Sequence, residues 1–272
     1  SIHTENGNEH SCTCPFVQGE AYYLKTAFKE LKDKKILSPV LTFDDNFTKV
    51  KRSFLDMGKT LGFKKRIVEK AINQAIENQI NFNKECKEIG KEFLKEIEGT
   101  GDIGIVIFGR PYNGFTTIAN MGIPQKFTSR GYRVIPYEFL PFADEQPYDN
   151  MYWAMGQNIL KASEIVKRHK QLFGVYITNF SCGPDSFVLN YFRDVMKEKP
   201  SLTLELDSHT ADAGIDTRIE AYIDVVKSYM EGYGKELNKS KEFNAAKTIV
   251  QNGRLKVIDS SNIERELTDP LV

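Results

Sequence analysis

The sequence predicts an α/β fold: a Rossmann-like parallel sheet with flanking helices, joined to a mostly helical N-terminal part. Two observations carry that prediction. Between residue 99 and about 238, short apolar β-branched runs alternate with amphipathic helical stretches, as in a parallel sheet covered on both faces. Between 21 and 98, apolar residues recur at helical rather than strand spacing. A length of 272 residues suits one large domain or two small ones.

Residues 1 to about 20 form a polar arm that carries "SCTCPF". "AYYLKTAFKELKD" predicts a helix, and "KILSPVLTF" a short strand or an extended link. "FTKVKRSFLDMGKTLG" and "FKKRIVEKAINQAIENQINFNKECKEIGKEFLKEI" read as helices. In the longer one, Phe82, Cys86, Ile89, Phe93 and Ile97 fall on one face. Cys86 therefore reads as a small buried thiol in mid-helix.

Four strands are expected in "DIGIVIFG", "YRVIPYE", "FGVYITNF" and "LTLEL". Between them, "GFTTIANMGIPQKFTSRG", "MYWAMGQNILKASEIVKRHKQ" and "PDSFVLNYFRDVMKE" read as helical. "IDTRIEAYIDVVKSYME" adds a last helix. The polar stretch that follows is expected to be a linker, as in an internal fragment of a larger protein. The expected division is 1–98 for the arm and helical region, 99–238 for the α/β domain and 239–272 for the tail.

Lys+Arg and Asp+Glu balance at 37 each, so no broad basic surface points to nucleic acid or an anionic membrane. No apolar run approaches a membrane span and no signal peptide is visible, which gives a cytoplasmic expectation. Four cysteines in a chain this long do not make a disulfide scaffold. Metal binding or inert burial remain for them.

In a parallel sheet, ligands bind beyond the carboxyl ends of the strands. Three loops should gather there: "GRPYN" at 109–113, "SCGPD" at 181–185 and "DSHTADAG" at 207–214. Gly183 allows a tight turn and Pro184 suits the first turn of a helix, so Cys182 should stand at a helix N-terminus. That position favours a thiolate, which could ligate a metal or attack a substrate. The plain alternative is a small residue packed at a crowded turn. Cys12 and Cys14 would point to one side of an extended arm. With Cys182 they would make three ligands, leaving one position of a tetrahedral zinc or of a cubane open, which His10 or His209 could fill.

Asp207, His209 and Asp212 read either as turn and capping residues or as a proton-handling group, with His209 the candidate acid–base residue. Arg110 either pairs with a carboxylate or, with Asn113 in the same loop, grips an anionic substrate group. No P-loop, G-x-G-x-x-G, H-E-x-x-H or Ser-His-Asp pattern is present.

"CTCPFVQGEAYYLK", "FGRPYN", "NFSCGPDSF" and "LELDSHTADAGIDTRIEAYID" together resemble the acyl-CoA dehydratase activase-related family, over roughly residues 9 to 238. These are large anaerobe proteins that join ATPase modules, similar to the activator of 2-hydroxyglutaryl-CoA dehydratase, to dehydratase-subunit-like modules. The resemblance implies a dehydratase-subunit-like fold and a 4Fe-4S cluster held by Cys14 and Cys182, with Cys12 as the third ligand. It implies as partners an ATP-dependent activator domain, in the same or another chain, and a small-molecule substrate such as an acyl-CoA. The expected function is an iron-sulfur electron-transfer module that is not active alone. The alternatives are a non-catalytic zinc-binding or docking module, and an enzyme with Cys182 as nucleophile and His209 as base. The expected cofactor is the cluster, with zinc as alternative, or an empty site after aerobic purification.

Overall fold

A computed structural model describes residues 12–43, 47–245, 247–251, 254–258 and 264–266. Two compact units divide it, Ser1–Ile219 and Glu220–Val272.

The first unit is built on four parallel strands, β1 (Gly104–Gly109), β2 (Arg133–Pro136), β3 (Leu172–Asn179) and β4 (Ser201–Leu206), in the order β2-β1-β3-β4. Parallel neighbours need crossovers, and helices supply them. The β1–β2 connection carries α5 (Pro111–Phe115) and α6 (Ile123–Thr128), where the sequence predicted a continuous helical stretch. Thr116, in extended conformation, ends α5, and a turn runs from there to Gly122, left-handed at φ 67, which caps α6. α7 (Ala154–Arg168) joins β2 to β3, and α8 (Gly183–Met196) joins β3 to β4. β1 is buried along its whole length and β3 nearly so, which is why both read as unbroken apolar runs. The core stacks Phe108 against Tyr137 and sets Phe192 against both Phe108 and Tyr176.

Ahead of the sheet lie α1 (Pro15–Gln18), α2 (Glu20–Ala27), α3 (Thr48–Thr60) and the long α4 (Lys65–Thr100). "KILSPVLTF" is an extended link and forms no strand. α4 ends at Gly101, left-handed at φ 78, whose N–H donates to the Ile97 carbonyl. Its buried seam is Cys86, Gly90 and Ile97, with Phe93 and Leu94 packed on the core. Phe82 and Ile89, expected on that face, are more than half exposed. The seam turns because Gly90 lies on it: a Cβ there would sit 1.9 Å from the Phe139 carbonyl oxygen, so only glycine permits this approach. The helical N-terminal region and the α/β region consequently belong to one compact unit.

α9 spans Asp212–Ala245, longer than "IDTRIEAYIDVVKSYME" predicted. The stretch expected to be a linker carries three antiparallel strands, β5 (Lys247–Gln251), β6 (Arg254–Ile258) and β7 (Glu264–Glu266). An Asn-Gly pair between two short β-prone runs was the overlooked signal. Among the described residues no helix is long and apolar enough to cross a membrane.

Candidate functional site

Three separate segments meet at the carboxyl edge of the sheet. β1 and β3 pair with Gly109 opposite Ile177, so the residues that follow them leave the sheet side by side. Gly109, at φ 137, passes so close to β3 that a Cβ would lie 2.3 Å from the Ile177 carbonyl oxygen. Arg110 then becomes the N-cap of α5. After β3 the chain reverses at Ser181, left-handed at φ 64, and Cys182 becomes the N-cap of α8. The third segment is the arm. Cys12 N–H donates to the Tyr152 carbonyl at 2.8 Å, and Ala154 N–H donates back to the Cys12 carbonyl at 3.1 Å. This single parallel bridge to Trp153 docks the arm ahead of α7. It sets Cys14, 4% exposed, at the N-cap of α1.

Cys14, Cys182, Arg110 and Tyr112 line a common cavity of about 240 Å³. Arg110 Nη2 donates to Cys182 Sγ at 2.9 Å. Its Cζ lies 5.3 Å from the centre of the Trp153 ring. Behind it Nε faces Asp185 Oδ1 at 3.6 Å, which is an ion pair too long for a hydrogen bond. Asp185 has no exposed surface, and it accepts from Thr178 Oγ1 at 2.8 Å and Tyr176 Oη at 3.4 Å. Burial opposes the Arg110 charge, but Asp185 and Cys182 outweigh it and hold the guanidinium above its ordinary range. Burial pushes the Cys182 thiol up, while the Asp185 N–H and Arg110 pull it down less strongly. Desolvation thus outweighs the help of the helix N-terminus on which the sequence expectation rested.

The other predicted residues lie elsewhere. Cys12 is exposed on the arm and does not line the cavity. Asn113 is fully buried, and its Nδ2 donates to the Ile177 carbonyl at 3.0 Å and to Asn179 Oδ1 at 2.9 Å. It ties α5 to β3, and it does not line the cavity. Asp207 accepts from His209 N–H at 2.9 Å and Thr210 Oγ1 at 2.8 Å, closing its own turn. Asp212 pairs with Lys126 at 2.9 Å, and His209 is exposed; none of the three lines the cavity. His10 lies outside the described residues. Cys86 is buried in α4, away from these loops in sequence and absent from the cavity lining.

Two residues central to the geometry had no role assigned from sequence, Asp185 and Trp153. The signal for Asp185 was its place in the first turn of α8, directly after Gly-Pro. For Trp153, the only tryptophan, no local pattern pointed to the arm.

Chemically, the site offers two thiols and a fixed cation in a half-open cavity. Two of the three expected cysteine donors, Cys14 and Cys182, line it, and Cys12 does not. Among the described residues no group of three or more His, Cys, Asp or Glu is arranged to hold a metal. Neither a curated protein nor a solved structure matches the chain. The family model described as CoA enzyme activase uncharacterised domain (DUF2229) matches residues 1–140, which include the arm and Arg110 but not Cys182. With just over half of its length matched, the chain belongs to this CoA enzyme activase domain family.

Proposed function

We propose that the chain is a redox module that carries a 4Fe-4S cluster. It takes low-potential electrons from an ATP-dependent activator domain and passes them to a small substrate of the acyl-CoA kind. The convergence of Cys14 and Cys182 on one cavity, from positions far apart in the chain, is the observation that carries this reading. Membership of a CoA enzyme activase family supports a partner enzyme of the CoA dehydratase kind. Cys14 and Cys182 would hold the group, with Cys12, two residues from Cys14 on the same arm, as the third donor. When bound, it would supply one-electron chemistry at low potential. The chain's own part is to keep Cys14 shielded and to donate an Arg110 N–H to Cys182 Sγ.

The test is anaerobic reconstitution with iron and sulfide, followed by iron, sulfide and zinc analysis and a visible spectrum. Bound iron and sulfide, lost in Cys14→Ser and in Cys182→Ser, support the proposal. Zinc in place of iron, or no metal with both variants unchanged, refutes it. That second reading, a zinc-binding or docking module, draws its support for docking from Cys12, which lies exposed and off the cavity.

A further inference from the structure

We infer that the hairpin of α3 and α4 is a docking arm: the apolar trough between the two helices receives an acidic amphipathic helix of a partner protein. The inference goes beyond the redox reading and does not rest on it.

The trough encloses about 570 Å³, and every residue lining it falls between 43 and 79. One wall is the face of α3 that carries Val50, Phe54 and Met57, and the other is the face of α4 that carries Val68, Ile72 and Ile76. Both sets recur every three or four residues, so each helix turns one apolar stripe into the trough. The two helices are held together at Gly58, where a Cβ would lie 2.5 Å from Val68 Cγ2. Val50 is 2% exposed, whereas Leu61, Phe63 and Ile67 are about half exposed, so the trough has a covered floor and an open mouth.

α4 runs on past the trough. Its buried residues, Cys86, Gly90 and Ile97, all lie in its second half, where Gly90 meets Phe139 and Ile97 joins the sheet core. Its first half has α3 for a wall instead. Two apolar helix faces left open side by side form a slot for a third helix. α3 has 13 residues, roughly 20 Å of helix, which sets the occupant at about four turns. A small ligand is a poorer fit. Among the described residues Gln79 is the only polar side chain on the lining, so no set of converging polar groups would orient one.

Charge selects among helices. Residues 48–70 hold eight Lys or Arg against two acids, Asp56 and Glu69, in a chain whose charges balance. Lys64 and Lys65, both exposed, stand between the lining residues Phe63 and Ile67 where α4 begins. The exposed Lys65–Glu69 pair, at 3.5 Å, offsets little of this. Such a border favours a helix flanked by Glu or Asp. It disfavours a second copy of the hairpin, which would bring like charges together.

The experiment is a titration of the full chain with two synthetic peptides of about 18 residues, long enough to hold a helix on binding. They share a Leu face at helical spacing, and one carries Glu on its flanks where the other carries Lys. Fluorescence anisotropy reads the binding and amide exchange locates it. The Glu peptide is expected to bind at least about tenfold tighter than the Lys peptide and to protect α3 and the first half of α4. That preference should vanish when Lys64→Glu and Lys65→Glu are combined. Ala75→Glu, at an exposed lining position of α4, should abolish binding with Tm unchanged. Should Ala75→Glu fail to fold, Ala71→Glu, one turn away and also exposed, is read in its place. Equal binding of the two peptides, binding of neither, or protection elsewhere overturns the inference. So does a dimer in sedimentation that Ala75→Glu dissociates, which makes a second copy the occupant. Binding to vesicles of phosphatidylserine and phosphatidylcholine, lost in the same variant, overturns it in favour of a membrane surface.

Discussion

Asn113 Nδ2 donates to Asn179 Oδ1 at 2.9 Å, linking α5 to the last residue of β3. The same nitrogen bonds the Ile177 carbonyl, while Asn113 Oδ1 has no donor. The side chain thus serves wholly as a donor. Asn113→Ala should cost about 2 kcal/mol, because it strands buried acceptors. Asn113→Asp should cost more, since an oxygen would replace the donor that faces two oxygens. Urea unfolding of both variants checks the order. Equal stability would remove Asn113 from the support of the site.

Two glycines of α4 should respond in opposite ways. Gly90→Ala places a Cβ against the Phe139 carbonyl and should destabilise by about 3 kcal/mol or more. Gly99→Ala meets nothing within 4 Å and should stabilise by about 0.5–1 kcal/mol, through helix propensity. Paired denaturation midpoints would show whether the long helix is held at its seam as described.

Glu138 predicts a pH dependence. Burial pushes its carboxyl from the ordinary 4.5 up to about 7. Between those values the native state keeps a proton that the unfolded chain has lost, so stability falls as pH rises through the window and levels off above it. Glu138→Gln should remove that fall and raise stability at pH 8 by on the order of 2 kcal/mol. Unfolding curves at pH 5 and pH 8 measure it. A wild-type stability that climbs between them would contradict the assignment.

Cys86 offers a control for the metal proposal. It is buried in α4, and burial raises its thiol pKa, as expected of an inert packed cysteine. Cys86→Ala should leave the iron and sulfide content of reconstituted protein unchanged and cost about 1 kcal/mol of stability. Loss of iron in this variant would place a ligand outside the cavity.

The strands were legible because residues buried on both faces leave unbroken apolar runs, as in "GIVIFG" and "LFGVYITN". From their carboxyl ends the meeting of Arg110 with Cys182 could be anticipated. The seam of α4 was not legible at Gly90, since a glycine carries no apolar signal however deeply it packs. Nor was the place of Asn113, because a polar loop residue looks the same in sequence whether it faces solvent or braces a strand. The docking of the arm on Trp153 is a backbone bridge between segments about 140 residues apart, and no local spacing encodes it. Asp207 and Asp212 look like chemistry in the string "DSHTADAG", yet each has a nearby partner that accounts for it.

The assembly of the site from positions 14, 110 and 182 also sets an order of events during synthesis. At about 5–20 residues per second, Cys14 leaves the ribosome on the order of ten seconds before its partner has been made. Until residue 153 has been made, the arm has no Trp153 to dock on. Any inorganic group must therefore be delivered after β3 and α8 have emerged, and a delivery factor would meet a folded α/β unit and not a nascent N-terminus. A reporter fused directly ahead of Cys12 would crowd the segment that carries Cys14 into the site.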